Sequence, residues 1–91
     1  MSEGRLVKNP AVVCTDMDDG GVLLDLETTA YYSLNPTALR IWNLIDDAST
    51  VDEIAARMTA EFEVEYEQAL ASAHRLVGTL QQERLIFVEA A

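Results

Sequence analysis

The chain has 91 residues, of which 49% are hydrophobic and 24% charged, a balance typical of one folded domain rather than a disordered segment. Sixteen acidic residues against six basic ones give a formal net charge of −10, which repels nucleic-acid phosphates and attracts cationic partners. No apolar run approaches the roughly 18 residues of a membrane span, and the start MSEGRLVKNP lacks a signal peptide's apolar core. We therefore expect one cytoplasmic domain over residues 1–91, with no nucleic-acid or membrane partner.

Three strands are predicted in the first third of the chain. The segments Val12–Met17 and Val22–Leu26 read as strands on either side of DDGG, whose residues tolerate the backbone of a tight turn. A second turn at Glu27–Thr29 leads into Ala30–Leu34, which completes an antiparallel meander. The outer strands of a meander are its first and third. Pro10 lacks a backbone N–H near the start of the first strand, which hinders pairing at that edge. The third strand has no such residue to hinder pairing at its edge.

Two helices are predicted next, each with its own start signal. Asn35 is a good N-cap and Pro36 a good first residue for a helix that runs to about Ile45. After a polar break at residues 46–49, the sequence TVDE beginning at Thr50 matches the capping box that starts a second helix.

A third helix and a final strand complete the predicted fold. Apolar residues at helical spacing indicate a helix from Glu67 to about Glu83, and LIFV at 85–88 predicts a short last strand. The fold class is therefore α+β and winged-helix-like, with an N-terminal three-stranded antiparallel sheet (about 12–34) followed by a three-helix bundle (about 36–83). Such a pair of helices also raises the alternative of a DNA-binding regulator, which the acidic charge disfavours.

The sequence gives little support to catalysis. Cys14 and His74 are the only candidates for a thiol nucleophile and its base, and no pattern places them together. One cysteine and one histidine also do not make a four-ligand zinc site. We expect no catalytic residue, no metal and no cofactor.

The acidic first turn offers part of the spacing of a calcium-binding loop. Residues suited to positions 1, 3, 6 and 12 of such a loop are Asp16, Asp18, Gly21 and Glu27. Position 5 is a glycine, and the flanks are predicted strands where the motif has helices. A hairpin turn is the simpler interpretation.

The open edge of the third strand is the strongest candidate for a site. Its backbone is either covered by another part of the chain, such as LIFV, or left to pair with an incoming peptide strand. Either Tyr31 and Ser33 or Ala30 and Tyr32 direct their backbone groups outward, and the sequence leaves both alternatives open. One flank of the third helix is the candidate second wall, with Arg75 near enough to meet a peptide carboxylate.

Two long segments carry a resemblance to a known family. GVLLDLETTAYYSLNPTALRIWNLID and TVDEIAARMTAEFEVEYEQALASAHRLVGTLQQERLI resemble the PqqD-like family of peptide-modification chaperones, also called RiPP recognition elements. The similarity runs from about Val12 to Ile86, and its most specific part is YYSLNPTALRIW. It implies binding of the N-terminal leader of a ribosomally made precursor peptide, as a strand added beside the third strand and against the third helix. The peptide-binding residues implied in this way are Ala30, Tyr31, Tyr32, Ser33 and Leu34 on the strand, and Leu70, His74, Arg75, Val77 and Gly78 on the helix.

Within the family, the chain is most similar to the stand-alone leader-binding proteins of lasso-peptide pathways. That resemblance implies two enzyme partners, a leader peptidase of the cysteine-protease type and an ATP-dependent cyclase. The alternative within the family is a peptide carrier for a radical SAM enzyme in pyrroloquinoline quinone biosynthesis. One departure concerns the second turn, where many relatives carry glycine and this chain has Thr28 and Thr29.

Overall fold

The computed structural model describes residues 5–45 and 50–89, which form an α+β fold of antiparallel strands and three helices. The polar break predicted at 46–49 lies outside the described residues. In chain order the elements are β1 (Arg5–Lys8), β2 (Val12–Met17), β3 (Gly20–Asp25), β4 (Tyr31–Leu34), α1 (Pro36–Leu44), α2 (Val51–Glu61), α3 (Tyr66–Gln82) and β5 (Ile86–Glu89).

The strands form two separate antiparallel sheets. The meander β2-β3-β4 is present as predicted, and a second sheet pairs β1 with β5. The sequence analysis missed β1, because four residues at one end of the chain carry no alternating pattern that identifies them. β5 lies at the predicted LIFV strand, but its partner is β1 rather than the meander.

The first hairpin is tighter than predicted. Met17 pairs with Gly20, so the turn contains only Asp18 and Asp19, and both glycines of DDGG belong to β3. Asp16 and Gly21 face each other in the ladder. Within the described ranges, no three His, Cys, Asp or Glu residues are grouped so that they could hold a metal ion.

The predicted helix starts are confirmed by their capping contacts. The side chain of Asn35 accepts from the Ala38 N–H at 2.8 Å, with Pro36 as the first helical residue. At α2, the Thr50 hydroxyl accepts from the Glu53 N–H at 3.2 Å, and the Glu53 carboxylate accepts from the Thr50 N–H at 3.1 Å. Each cap satisfies backbone donors that the first helical turn leaves without a helical partner.

The core lies between the inner face of the meander and the helices. α1 packs on β3 and β4, and α2 packs along α3. The largest fully buried side chains are Leu23, Ile41, Leu44, Ile54, Leu80 and Ile86. None of the helices that the structure describes has the length and apolar character needed to cross a bilayer.

Candidate functional site

The outer edge of β4 is unpaired in the described part of the chain. β4 is the last strand of the order β2-β3-β4, and β5, which contains most of the LIFV segment considered above as its cover, pairs with β1. A row of backbone donors and acceptors on such an edge is a template for another strand. The edge strand predicted from sequence is therefore open to an added strand.

The structure resolves which residues of this strand face outward. The N–H of Asp25 donates to the carbonyl of Ala30 at 2.9 Å, and the register between β3 and β4 continues without a bulge. Because hydrogen-bonded pairs alternate along an antiparallel ladder, Ala30 and Tyr32 direct their backbone groups to β3. Tyr31 and Ser33 therefore direct their N–H and C=O groups to the open edge.

The side chains of β4 divide between the two faces of the sheet. Leu34 is buried and Tyr32 half-buried on the face that meets the helices. On the opposite face, Tyr31 is 74% exposed and Ser33 is also exposed. A strand added to β4 would likewise direct every second side chain toward the helices.

A cavity of about 250 Å³ lies between β4 and α3. Tyr32 forms one side and α1 contributes the floor. The opposite wall belongs to α3 and consists of Ser72, Arg75, Leu76 and Thr79. Ser72 lies three and four positions before Arg75 and Leu76, and Thr79 lies four and three positions after them, so the four residues share one face of the helix.

A second, larger cavity of about 460 Å³ lies at the other end of β4. Ala30, Tyr31 and Tyr32 line it on the strand side, and residues that follow α3, including Arg84 and Phe87, line it on the other. Tyr32 borders both cavities, so they are neighbours on either side of this residue. We call the two cavities together the β4–α3 groove.

The helical wall differs from the one proposed on sequence grounds. Of the five helical candidates, only Arg75 lines the groove. Val77 is buried in the core and Leu70 is half-buried against it, whereas His74 and Gly78 are exposed elsewhere on the helix. His74 and Gly78 lie on the side of the buried stripe away from the groove, because sequence periodicity locates that stripe but not which of its two borders faces β4. Their part in peptide binding stays a prediction.

Sequence reasoning also missed the residue that shapes the turn before β4. Asp25 is only 6% exposed, and its carboxylate accepts from the N–H groups of Glu27 at 2.9 Å and Thr28 at 3.3 Å. Thr29 follows with φ of +63°, in the region that favours glycine. The available signal was an Asp directly before a turn, where such side chains commonly bond the backbone.

Cys14 and His74, the two candidates for a thiol nucleophile and its base, lie on different elements, β2 and α3. Burial, and to a lesser extent the charge of Asp16, raises the pKa of the Cys14 thiol, which keeps it in its less nucleophilic form. His74 is exposed on α3, and no hydrogen bond joins it to Cys14 in the described structure.

Fold and site together define a small α+β domain with an open edge strand beside a helix-lined groove. The model of the PqqD family, described as Coenzyme PQQ synthesis protein D, matches residues 20–86. The chain therefore belongs to the PqqD family. A search of the curated proteins finds no match.

Two solved structures are similar to this chain over most of their length. One is TbiB1 in complex with the TbiA(beta) leader peptide, with 29% identity and a TM-score of 0.79, covering 88% of this chain and 93% of that one. The other is a lasso peptide synthetase B1 complexed with the leader peptide, with 29% identity and a TM-score of 0.80, covering 91% of this chain and 98% of that one.

Proposed function

We propose that this chain is a non-catalytic adaptor of lasso-peptide biosynthesis. It binds the leader of a ribosomally synthesised precursor by strand addition to β4 and presents the precursor to processing enzymes. The observation that carries this proposal is the edge of β4, which no described strand covers, with Tyr31 and Ser33 directed outward beside a groove. The similarity to two proteins bound to leader peptides supports the same function.

The geometry explains how an extended peptide is held. Backbone groups of Tyr31 and Ser33 bond the peptide main chain, each bond contributing about 0.5–1.5 kcal/mol. Alternate peptide side chains enter the groove between Tyr32 and the α3 residues Leu76 and Thr79. Main-chain bonds thus supply affinity for any strand, whereas the groove supplies selectivity for the leader.

The adaptor acts by bringing substrate to enzymes rather than by chemistry of its own. We propose as its partners a leader peptidase of the cysteine-protease type and an ATP-dependent cyclase. An adaptor that binds both precursor and enzyme raises the substrate concentration near the enzyme. We place this step in the cytoplasm, where the precursor is synthesised.

A second candidate function is that of a peptide carrier for a radical SAM enzyme. The observation that favours it is the family match, since that model describes a protein of coenzyme PQQ synthesis. The genes beside this one distinguish the two functions. A transglutaminase-like peptidase and an asparagine-synthetase-like cyclase indicate lasso peptides, whereas a radical SAM enzyme indicates the carrier.

Titration with a synthetic leader tests the proposed function. The peptide is the leader of the precursor encoded beside this chain's gene, and a scrambled peptide of the same composition is the control. We expect saturable binding of the leader and weaker binding of the scrambled peptide. Equal affinity for both peptides would rule the proposal out.

A rate measurement tests the non-catalytic role separately. The pure protein should leave the precursor intact, as followed by mass spectrometry. It should raise the rate at which the partner peptidase removes the leader. Cleavage by the pure protein that survives Cys14→Ala but is abolished by another substitution would reveal a catalytic site in this chain.

A further inference from the structure

The charges along the β4–α3 groove are unevenly distributed. Among the residues that the structure describes, Arg75 is the only charged one that lines the first cavity, and its guanidinium forms no ion pair with any other of them. Two other cations of the chain have partners within it. Arg40 bonds the Glu61 carboxylate, and the Lys8 ammonium lies 4.6 Å from the centre of the Trp42 ring.

The charged residues that line the second cavity are mostly acidic. Glu27 and Glu83 line it together with Asp25 and Arg84, so three carboxylates accompany one guanidinium. Asp25 already accepts two backbone bonds in the turn, which leaves the two glutamates to face an incoming ligand. The groove is therefore cationic where Arg75 lies and acidic near the end of α3.

We propose that Arg75 sets the register of the bound leader by pairing with one acidic side chain that faces the groove. The leader position that reaches the second cavity is then basic or uncharged. This inference rests on the proposed function and specifies its ligand. It assigns to Arg75 the selection of one leader position, beyond the general binding of an extended peptide.

One leader position pairs with Arg75 and another reaches the second cavity. The number of leader residues between them follows from the rise per residue of α3 and of an extended peptide. Arg75 and Glu83 are eight residues apart along α3, which is about 12 Å at the rise of a helix. An extended peptide covers that distance in roughly four residues. Residues four apart in a strand face the same side, so both side chains can face the helix at once.

The charge at position 75 and the net charge of the protein predict opposite effects of Arg75→Glu on the affinity for the leader. The net charge of −10 attracts cationic peptides at long range, so a further negative charge at any exposed site should leave their binding unchanged or strengthen it. A negative charge at position 75 should instead repel the paired leader carboxylate. A loss of affinity on Arg75→Glu therefore reports the direct contact rather than the overall charge.

A charge-reversal experiment tests the inference with the full chain. The probe is the synthetic leader encoded beside the gene, together with variants in which each acidic residue is changed singly to lysine. We expect Arg75→Glu to bind the parent leader about threefold to thirtyfold more weakly. One lysine variant should recover binding to Arg75→Glu, and that variant should bind the parent protein more weakly.

Arg5→Glu is the matched control, because Arg5 is exposed on β1 and lines neither cavity of the groove. It makes the same change in net charge and should not weaken leader binding. Arg75→Gln serves as a second variant should Arg75→Glu melt below the parent, and it should bind the parent leader about threefold to tenfold more weakly.

The outcomes separate this inference from the proposed function. If the leader binds the parent, Arg75→Glu, Arg75→Gln and Arg5→Glu with equal affinity, the role of Arg75 is wrong and the adaptor function stands. If Arg75→Glu weakens binding but no lysine variant restores it, the inferred acidic partner is wrong. A leader that does not bind the parent protein overturns the proposed function, and this inference with it.

Discussion

Gly20 lies so close to Leu34 that a β-carbon on the glycine would stand 1.9 Å from the Leu34 carbonyl oxygen. Gly20 also has φ of +135°, a conformation that L side chains rarely adopt. The contact joins the start of β3 to the end of β4, one residue before the Asn35 cap of α1. It therefore fixes the place where the edge strand stops and the helix begins.

We expect Gly20→Ala to lower the free energy of unfolding by at least about 2 kcal/mol, because it combines backbone strain with a steric clash. Gly78→Ala is the matched control. Gly78 lies in α3, nothing lies within 4 Å of its β-carbon position, and alanine there should stabilise by about 0.5–1 kcal/mol. Urea unfolding of both variants measures the difference. A Gly20→Ala protein as stable as the parent would contradict the close contact.

The ion pair between α1 and α2 gives a prediction for pH dependence. The hydrogen bond from Arg40 lowers the pKa of Glu61 below its usual value of 4.5. A carboxyl with a lowered pKa in the folded state contributes stability above its unfolded pKa, and loses that contribution as pH falls through the folded value.

We therefore expect Arg40→Gln to melt below the parent at pH 7, by a modest amount because the pair is exposed. The difference should shrink as pH falls from about 4.5 toward the lowered pKa of Glu61. Glu61→Gln should remove the same dependence. A difference in melting temperature that stays constant down to pH ~3 would show that the pair does not act through this carboxylate.

The net charge predicts how leader binding depends on salt. A chain of charge −10 favours leaders that are cationic or neutral overall, even where one leader carboxylate pairs with Arg75. Affinity for a cationic leader should fall moderately as salt increases, because exposed charges are screened. Titrations at low and high salt test this. Affinity independent of salt would mean that apolar contacts in the groove do the recognising.

The switch from β4 to α1 was predictable because its signals lie in adjacent residues. Asn35 and Pro36 mark a helix start by their own chemistry, and the capping box at Thr50 and Glu53 does the same for α2. Local signals of this kind do not depend on what the rest of the chain does. The edge strand and the helix that follows it were therefore accessible from sequence.

The features that the sequence did not predict depend on contacts between distant segments of the chain. The pairing of β1 with β5 joins the two ends of the described chain, and no local pattern specifies it. The helical wall of the groove depends on how α3 is rotated about its own axis. Ser72 and Thr79 line the cavity between α3 and β4, whereas His74 is exposed and does not line it. The outward direction of Tyr31 and Ser33 required the bond between Asp25 and Ala30.

Proline substitution along β4 tests the docking edge most directly, because proline removes the backbone donor. Tyr31→Pro and Ser33→Pro should melt close to the parent, since their N–H groups face outward. Each should bind leader more weakly by the loss of a bond worth about 0.5–1.5 kcal/mol, plus a steric cost. Tyr32→Pro removes a donor that faces β3 and should melt well below the parent.

The deciding measurement pairs thermal melting with leader titration for these three variants, with Tyr31→Phe and Tyr32→Phe as side-chain controls. Strand addition to β4 predicts that Tyr31→Pro and Ser33→Pro keep the fold and lose affinity, while Tyr31→Phe retains its backbone bond to the leader. If both outward-facing proline variants melt like the parent and also bind leader with the parent's affinity, β4 is not the docking strand.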